Sequence, residues 1–410
     1  MSKTPRNQIP SPRTQIVTAA VADTVITIPS SGVKAGTDFK VIHNLPALGS
    51  KYSVYVNTTD SIARTIARLR GGDILELTAL IDNPTKPGDF KSVITRKKRG
   101  SIPAKWSTFT APLTCASVCY AAEQGLFCAV SANAGGINRV MTSPDGVTWT
   151  SRTAASTNSW FSVCYAAELG IFCTVSNSGA GSRVMTSPDG ITWTSRTTPA
   201  LDSDWMSICY AAELGIFCAV AQTGPGSYVM TSPDGITWTS RTAAASNAWA
   251  SVCYAAELGL FCAVANSGAG NRVMTSPNGT SWTIRSTPAD NMWRTVCYNP
   301  DSGYFIAVAS NAASGNRAMK STNGSSWFIS SSFGASDGWR PICYAADRRV
   351  VCAITQLSSG SGNVMTTSDY DLWLYQPVFA DSNWYSMCYS TELSRFCTVS
   401  SSDASAMISD

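Results

Sequence analysis

The sequence repeats itself with a period of about 45 residues, and a repeat of that length admits few folds. Cys-Tyr pairs begin at Cys119, Cys164, Cys209, Cys253, Cys297, Cys343 and Cys388, at separations of 45, 45, 44, 44, 46 and 45 residues. One tryptophan series runs Trp106, Trp149, Trp193, Trp238, Trp282, Trp327 and Trp373; a second runs Trp160, Trp205, Trp249, Trp293, Trp339 and Trp384. Together they use all 13 tryptophans, so none is left over for a special site.

Each unit reads as four short strands. Ser162-Val163-Cys164-Tyr165 and Ile171-Phe172-Cys173-Thr174-Val175 are apolar runs joined by a turn at Glu168-Leu169-Gly170. Asn177 to Gly181 is a loop by composition, and Arg183-Val184-Met185-Thr186 is a third strand. Ser187-Pro188-Asp189-Gly190 has Pro and Gly where a tight turn wants them, and Ile191-Thr192-Trp193-Thr194 follows as the fourth strand. Four short strands per unit with no helical period predict an all-β chain of propeller blades. The last unit stops at Met407-Ile408-Ser409-Asp410, where the others have only their third strand. Lys105-Trp106-Ser107-Thr108 precedes the first unit as a spare fourth strand. Pairing the two pieces predicts a seven-bladed propeller closed by a shared blade, with no open sheet edge at the join.

Ser143-Pro144-Asp145-Gly146-Val147-Thr148-Trp149 and its copies resemble the Asp-box of sialidase-type (BNR-like) repeats, shortened so that Asp and Gly are adjacent. The box positions are Asp145, Asp189, Asp234, Asn278, Asn323 and Asp369, the last followed by Tyr370 in place of Gly. The resemblance covers about three-quarters of the chain and implies a structural turn on the face away from any ligand. Asn at two positions fits that role, since it keeps the turn-forming side chain and loses the charge.

Charge divides the chain. Residues 1–105 hold 16 Lys+Arg against 7 Asp+Glu, and residues 106–410 hold 14 against 19. With 44% hydrophobic and 14% charged residues, the composition excludes a disordered chain. The start is polar, with no signal peptide, and no apolar run nears the roughly 18 residues of a membrane span. Pro5, Pro10 and Pro12 mark residues 1–14 as an extended arm. Runs such as Val25–Ile28, Phe39–Ile42, Tyr52–Val56 and Ile74–Leu77 predict a small β-sandwich-like anchoring domain over 15–95, with a short helix around Ile62, Ile66 and Leu69. A basic linker over 96–104 then leads to the propeller at 105–410. The stretch Phe39 to Leu45 followed by Tyr52 to Val56 is similar to small β-domains of phage fibre and tail proteins.

Chemistry is sparse. The one histidine, His43, reads as a residue beside a turn, so His-based triads and zinc sites are excluded. Six of the Cys-Tyr cysteines have a partner nine residues on, and these could face each other as disulfides or as free thiols. Ile306 in a partner slot, Cys115 in a tryptophan slot and the missing signal peptide favour free thiols. There is no Cys-x-x-Cys pair, so no metal or other cofactor is expected. The glutamates at 123, 168, 213 and 257 share one turn position and point to architecture, so no catalytic residues are assigned.

The Ser/Asn/Gly/Thr/Ala-rich loops suit polar contacts on one face. Arg139, Arg183, Arg272 and Arg317, with Tyr228 in the same slot, are the candidate binding residues; solvated strand ends are the alternative. The second tryptophan series could stack on sugars or pack between blades. These features resemble phage virion accessory proteins. The resemblance implies a non-enzymatic virion protein, made in the host cytoplasm, without membrane insertion or nucleic-acid binding. Residues 1–100 would dock it to other virion proteins as an oligomer on the particle, and its propeller would bind a host-surface glycan or another virion protein. A sialidase-like glycan-processing enzyme and an intracellular propeller scaffold are the alternatives.

Overall fold

The computed structural model describes two compact units: residues 1–99 with Pro300–Gly303, and residues 100–299 with Tyr304–Asp410. In the first, the backbones of seven strands between residues 14 and 96 are described, together with the turn Pro300–Gly303. In the second, residues from 103 onward are described, apart from 104, 134, 200–201, 225, 227, 311–316, 331–337, 357–361, 368–372, 379–381 and 410. The expected arm and basic linker fall almost wholly outside these residues.

In the N-terminal unit, Thr14–Ala19, Asp38–His43, Asp73–Ala79 and Phe90–Arg96 form one sheet in that order, its first pair parallel. Ile26–Ile28, Tyr52–Val56 and Arg64–Leu69 form a second. Of the helix expected around Ile62, Ile66 and Leu69, the described residues Arg64–Leu69 are instead a strand pairing antiparallel with Tyr52–Val56. Three apolar residues at helical spacing are a weak signal, and strand pairing overrides it.

The second unit is a seven-bladed β-propeller. Blade 1 runs from Ser117 to Thr153, and blades 2 to 4 begin at Trp160, Trp205 and Trp249. Blades 5 to 7 begin at Trp293, Gly338 and Trp384. Every blade is a four-stranded antiparallel sheet, and the first strands of neighbouring blades contact one another around the centre. Closure is as the chain ends require. Trp106–Thr110 pairs with Ser405–Ser409, setting Trp106 opposite Ser409 and Thr108 opposite Met407.

The repeated residues build repeated packing. Trp160, Trp205, Trp249, Trp293, Trp339 and Trp384 are at most 1% exposed. Trp160 packs with Val130 and Val140 of the preceding blade, so this series wedges blades together and offers no stacking surface. Cys115 takes the wedge place between blades 7 and 1. The other series sits at the blade's outer end, where Trp193 tilts against Phe172 and Phe172 against Tyr165. The Cys-Tyr cysteines lie directly opposite their partners, as Cys164 does to Cys173, and all 14 thiols are free.

The fourth strand begins later than the sequence pattern suggests, at Thr194–Arg196 in blade 2. Ile191 and Thr192 belong to the turn, because their amides donate to Asp189 Oδ1 at 2.8 and 2.7 Å and cannot join the ladder. Ser187 Oγ donates to the same oxygen at 2.9 Å, and Trp193 Nε1 donates to the Gly190 carbonyl at 3.1 Å. Gly190 has φ +71°, and a Cβ there would lie 3.2 Å from Leu126 of blade 1. The turn therefore demands glycine twice, for backbone and for blade packing. Asp145 and Asp234 repeat this geometry, and Asn278 and Asn323 keep it with an amide oxygen. The turn expected at Asp369 lies outside the described residues.

Candidate functional site at the channel mouth

The arginine slot chosen from the sequence is built into its own loops. Arg183 donates through Nε to the Gly179 carbonyl and through Nη1 to the carbonyls of Asn177 and Ser203. Its Nη1 also lies 2.9 Å from Asp204 Oδ1. Arg272 likewise donates to the carbonyls of Gly268, Asn266 and Asn291, and Arg139 to those of Gly136 and Ala132. Tyr228 and Arg317 sit at the same register, accepting through their carbonyls from Ala221 and Ala309. In Arg139, Arg183 and Arg272 the guanidinium binds the loop between second and third strands, and in the latter two it ties that loop to the one entering the next blade. These contacts make the arginines braces.

Another position lines the channel. The residue after each wedge is Ala116, Phe161, Met206, Ala250, Arg294, Arg340 and Tyr385 in blades 1 to 7. All seven line one cavity of about 110 Å³, together with the serines that follow most of them and Asn266. Asn266 directly follows a second strand, so the cavity opens on the face bearing the second-to-third-strand loops. Below that ring, Ser117 Oγ accepts from Val163 N–H at 3.1 Å and Ser162 Oγ from Ile208 N–H at 3.2 Å. Ser207, Ser251 and Ser386 make the same bond to the next blade. Five blade junctions are stitched in this way. In blade 6 the place belongs to Pro341, which has no hydroxyl.

The mouth is chemically lopsided. Blades 1 to 4 contribute Ala, Phe, Met and Ala, while blades 5 to 7 contribute Arg, Arg and Tyr. The Arg340 guanidinium lies over the Tyr385 ring, 3.1 Å from its centroid, and Phe161 meets the same ring edge-on at 6.3 Å. Arg294 Nε donates to Ser310 Oγ at 2.8 Å. Burial lowers the Arg340 pKa to about 10, opposed by Tyr385 and aided by the neighbouring Arg294 charge. Arg294 is lowered for the same first reason. Both stay cationic at neutral pH. Among the described residues neither has a carboxylate partner, and none lines the cavity.

Sequence reasoning passed over these residues, although the signal was present. Tryptophan on one side and Ser or Thr on the other repeat almost without change, and between them the chemistry changes from blade to blade. No protein-family model matches the chain, and no curated protein matches it. Among solved structures it is similar to a GH74 enzyme of Niastella koreensis, at 11% identity and TM-score 0.58, covering 72% of this chain and 52% of that one. The chain thus spans about half that enzyme's length. It is also similar to the WD40 β-propeller domain of Doa1, at 13% identity and TM-score 0.52, covering 73% and 93%. A chain of the mitotic checkpoint complex matches at 10% identity and TM-score 0.56, covering 78% and 94%. At identities this low, and with neighbours as different as a GH74 enzyme and a chain of the mitotic checkpoint complex, the likeness establishes the fold alone.

Proposed function

We propose that this protein is a bacteriophage virion structural protein, of tail, fibre or decoration type, whose propeller binds and does not catalyse. The observation that carries the binding reading is the mouth ring, where seven near-identical blades present different side chains to one cavity. A single ligand on the axis of a regular ring needs such a departure from symmetry. Among the described residues, none that lines the cavity is Asp, Glu or His, so these residues do not supply the paired carboxylates of glycoside hydrolysis. The virion reading rests on the sequence: a basic N-terminal β-region, an acidic repeat array and the similarity of Phe39 to Val56 to phage fibre domains. In this reading residues 1–100 dock to other virion proteins and the propeller meets a host-surface glycan.

Mass spectrometry and imaging of purified particles test the location, and labelling of host cells with the full-length protein tests attachment. The protein is expected on the particle surface and on host cells. Absence from particles overturns the virion reading. Turnover of sialylated or other glycans in a hydrolysis assay overturns the non-catalytic one, and Arg294, Arg340 and Tyr385 would then be the groups to examine.

A further inference from the structure

We infer that the channel mouth is an anion site, in which Arg294 and Arg340 clamp one compact oxyanion carried on a sugar-sized body that rests on Phe161 and Met206. The inference builds on the mouth being the binding site and names the ligand chemistry. Carboxylate, sulfate and phosphate share that chemistry.

Three observations converge on it. The first is charge without compensation. Where this chain places arginines in its loops it supplies partners, as Asp204 and the Ser203 carbonyl do for Arg183. At the mouth, two guanidinium groups share a confined space with each other and no carboxylate among the described residues. Holding two partly buried cations side by side is unfavourable, and a guest anion with paired oxygens relieves it through charge-assisted bonds.

The second is the serine belt. Ser117, Ser162, Ser207, Ser251 and Ser386 line the cavity and accept amide N–H bonds on Oγ. A hydroxyl that accepts in this way still has its own hydrogen to donate. The lining is therefore rich in donors, which suits an acceptor-only guest. The third is the division of the ring. An anion held by blades 5 and 6 faces Phe161 and Met206 of blades 2 and 3 across the channel. The cavity of about 110 Å³ holds several waters' worth of space, enough for a charged group with part of one sugar.

Calorimetric titration of the full chain at low ionic strength with glucuronate, glucose 6-phosphate and glucose tests the inference. At least one charged sugar is expected to bind about tenfold or more tightly than glucose, and comparison of the two separates carboxylate from phosphate. Arg294→Gln and Arg340→Gln should each weaken that binding about tenfold, whereas Arg241→Gln, in an outermost strand, should leave it unchanged. Ala250→Glu places a competing carboxylate beside Arg294; it should abolish anion binding and raise the melting temperature. That variant keeps the inference testable if either glutamine variant fails to fold.

Glucose binding as tightly as both charged sugars overturns the anion inference, as does undiminished charged-sugar binding in the folded variants, or no binding by the wild type. If Phe161→Ala still abolishes host-cell labelling, the mouth remains the binding site and only the anion assignment falls. Labelling that survives Phe161→Ala, Arg340→Gln and Ala250→Glu alike removes the mouth reading itself.

Discussion

Trp106 faces Ser409 across the outermost ladder of blade 7, joining the two ends of the propeller array in one sheet. Five residue pairs make this join, and Trp106 also stacks on Phe396, 6.0 Å between ring centroids. Deleting residues 101–110 removes the fourth strand of that blade and exposes the edge of Ser405–Ser409. Each lost ladder bond is worth about 1 kcal/mol, and the tryptophan adds its buried area. The truncated protein should melt at least several degrees lower. A melting curve unchanged from the full chain would mean that closure does not depend on this strand.

The Asp-box turns predict an asymmetry between two small substitutions. Asp189→Asn keeps an oxygen for the amides of Ile191 and Thr192, as Asn278 does for Thr280 and Ser281 at 3.0 Å, and should change stability by less than about 1 kcal/mol. Asp189→Ala removes the acceptor and should lower it by about 1–2 kcal/mol. Partial burial works to raise the Asp145, Asp189 and Asp234 pKa values, but hydrogen bonds from the following amides and the box serine outweigh it, so all three lie below the ordinary value of 3.8. A depressed folded pKa gives stability that is present above the unfolded value and lost as pH falls through the folded one. Acid unfolding below pH 3.8 should therefore be shallower in the triple Asn variant, and equal slopes would refute the assignment.

The cysteines predict alkaline sensitivity. Burial pushes the Cys209 and Cys343 thiols up to about 12, and the others with a resolved shift move the same way. A raised folded pKa keeps its full stabilising effect below the unfolded value near 9 and loses it as pH climbs toward 12. Unfolding should therefore set in between pH 9 and 12, and native alkylation at pH 8 should be far slower than that of a free thiol. Denatured, unreduced protein should label most of its 14 thiols. Labelling of only a few would reveal disulfides.

Fold and site differed in how openly the sequence displayed them. Blade number and closure could be read because Trp, Cys-Tyr and the box turn recur wherever the same packing recurs. Strand boundaries could not be read as well, since Ile191 looks like a strand residue until its amide is seen bound to Asp189. The site was harder for a physical reason. Arg183 and Arg272 stand out by repetition, and repetition marks what every blade needs, here loop bracing. Arg294 and Arg340 occur in a column where no residue type recurs in more than two blades, and their shared cavity exists only once seven first strands converge.

The serine belt yields the last prediction, and it separates stitching from mere packing. Ser162 Oγ takes the Ile208 N–H across a blade junction, and Ser207 Oγ takes that of Val252. Replacing Ser162 with alanine leaves a part-buried amide without its acceptor and should cost about 1–2 kcal/mol, more than loss of an exposed hydroxyl. Ser162→Thr keeps the oxygen, as Thr295 does at the same register, and should recover most of the loss. Ser162→Ala and Ser207→Ala act at successive junctions with different acceptors, so their effects should add within about 0.5 kcal/mol if the stitches are independent. A double variant that loses much more would show that the belt fails cooperatively around the ring. Chemical denaturation of the four variants, followed by tryptophan fluorescence, reads this directly; alanine and threonine variants of equal stability would reduce the belt to ordinary packing.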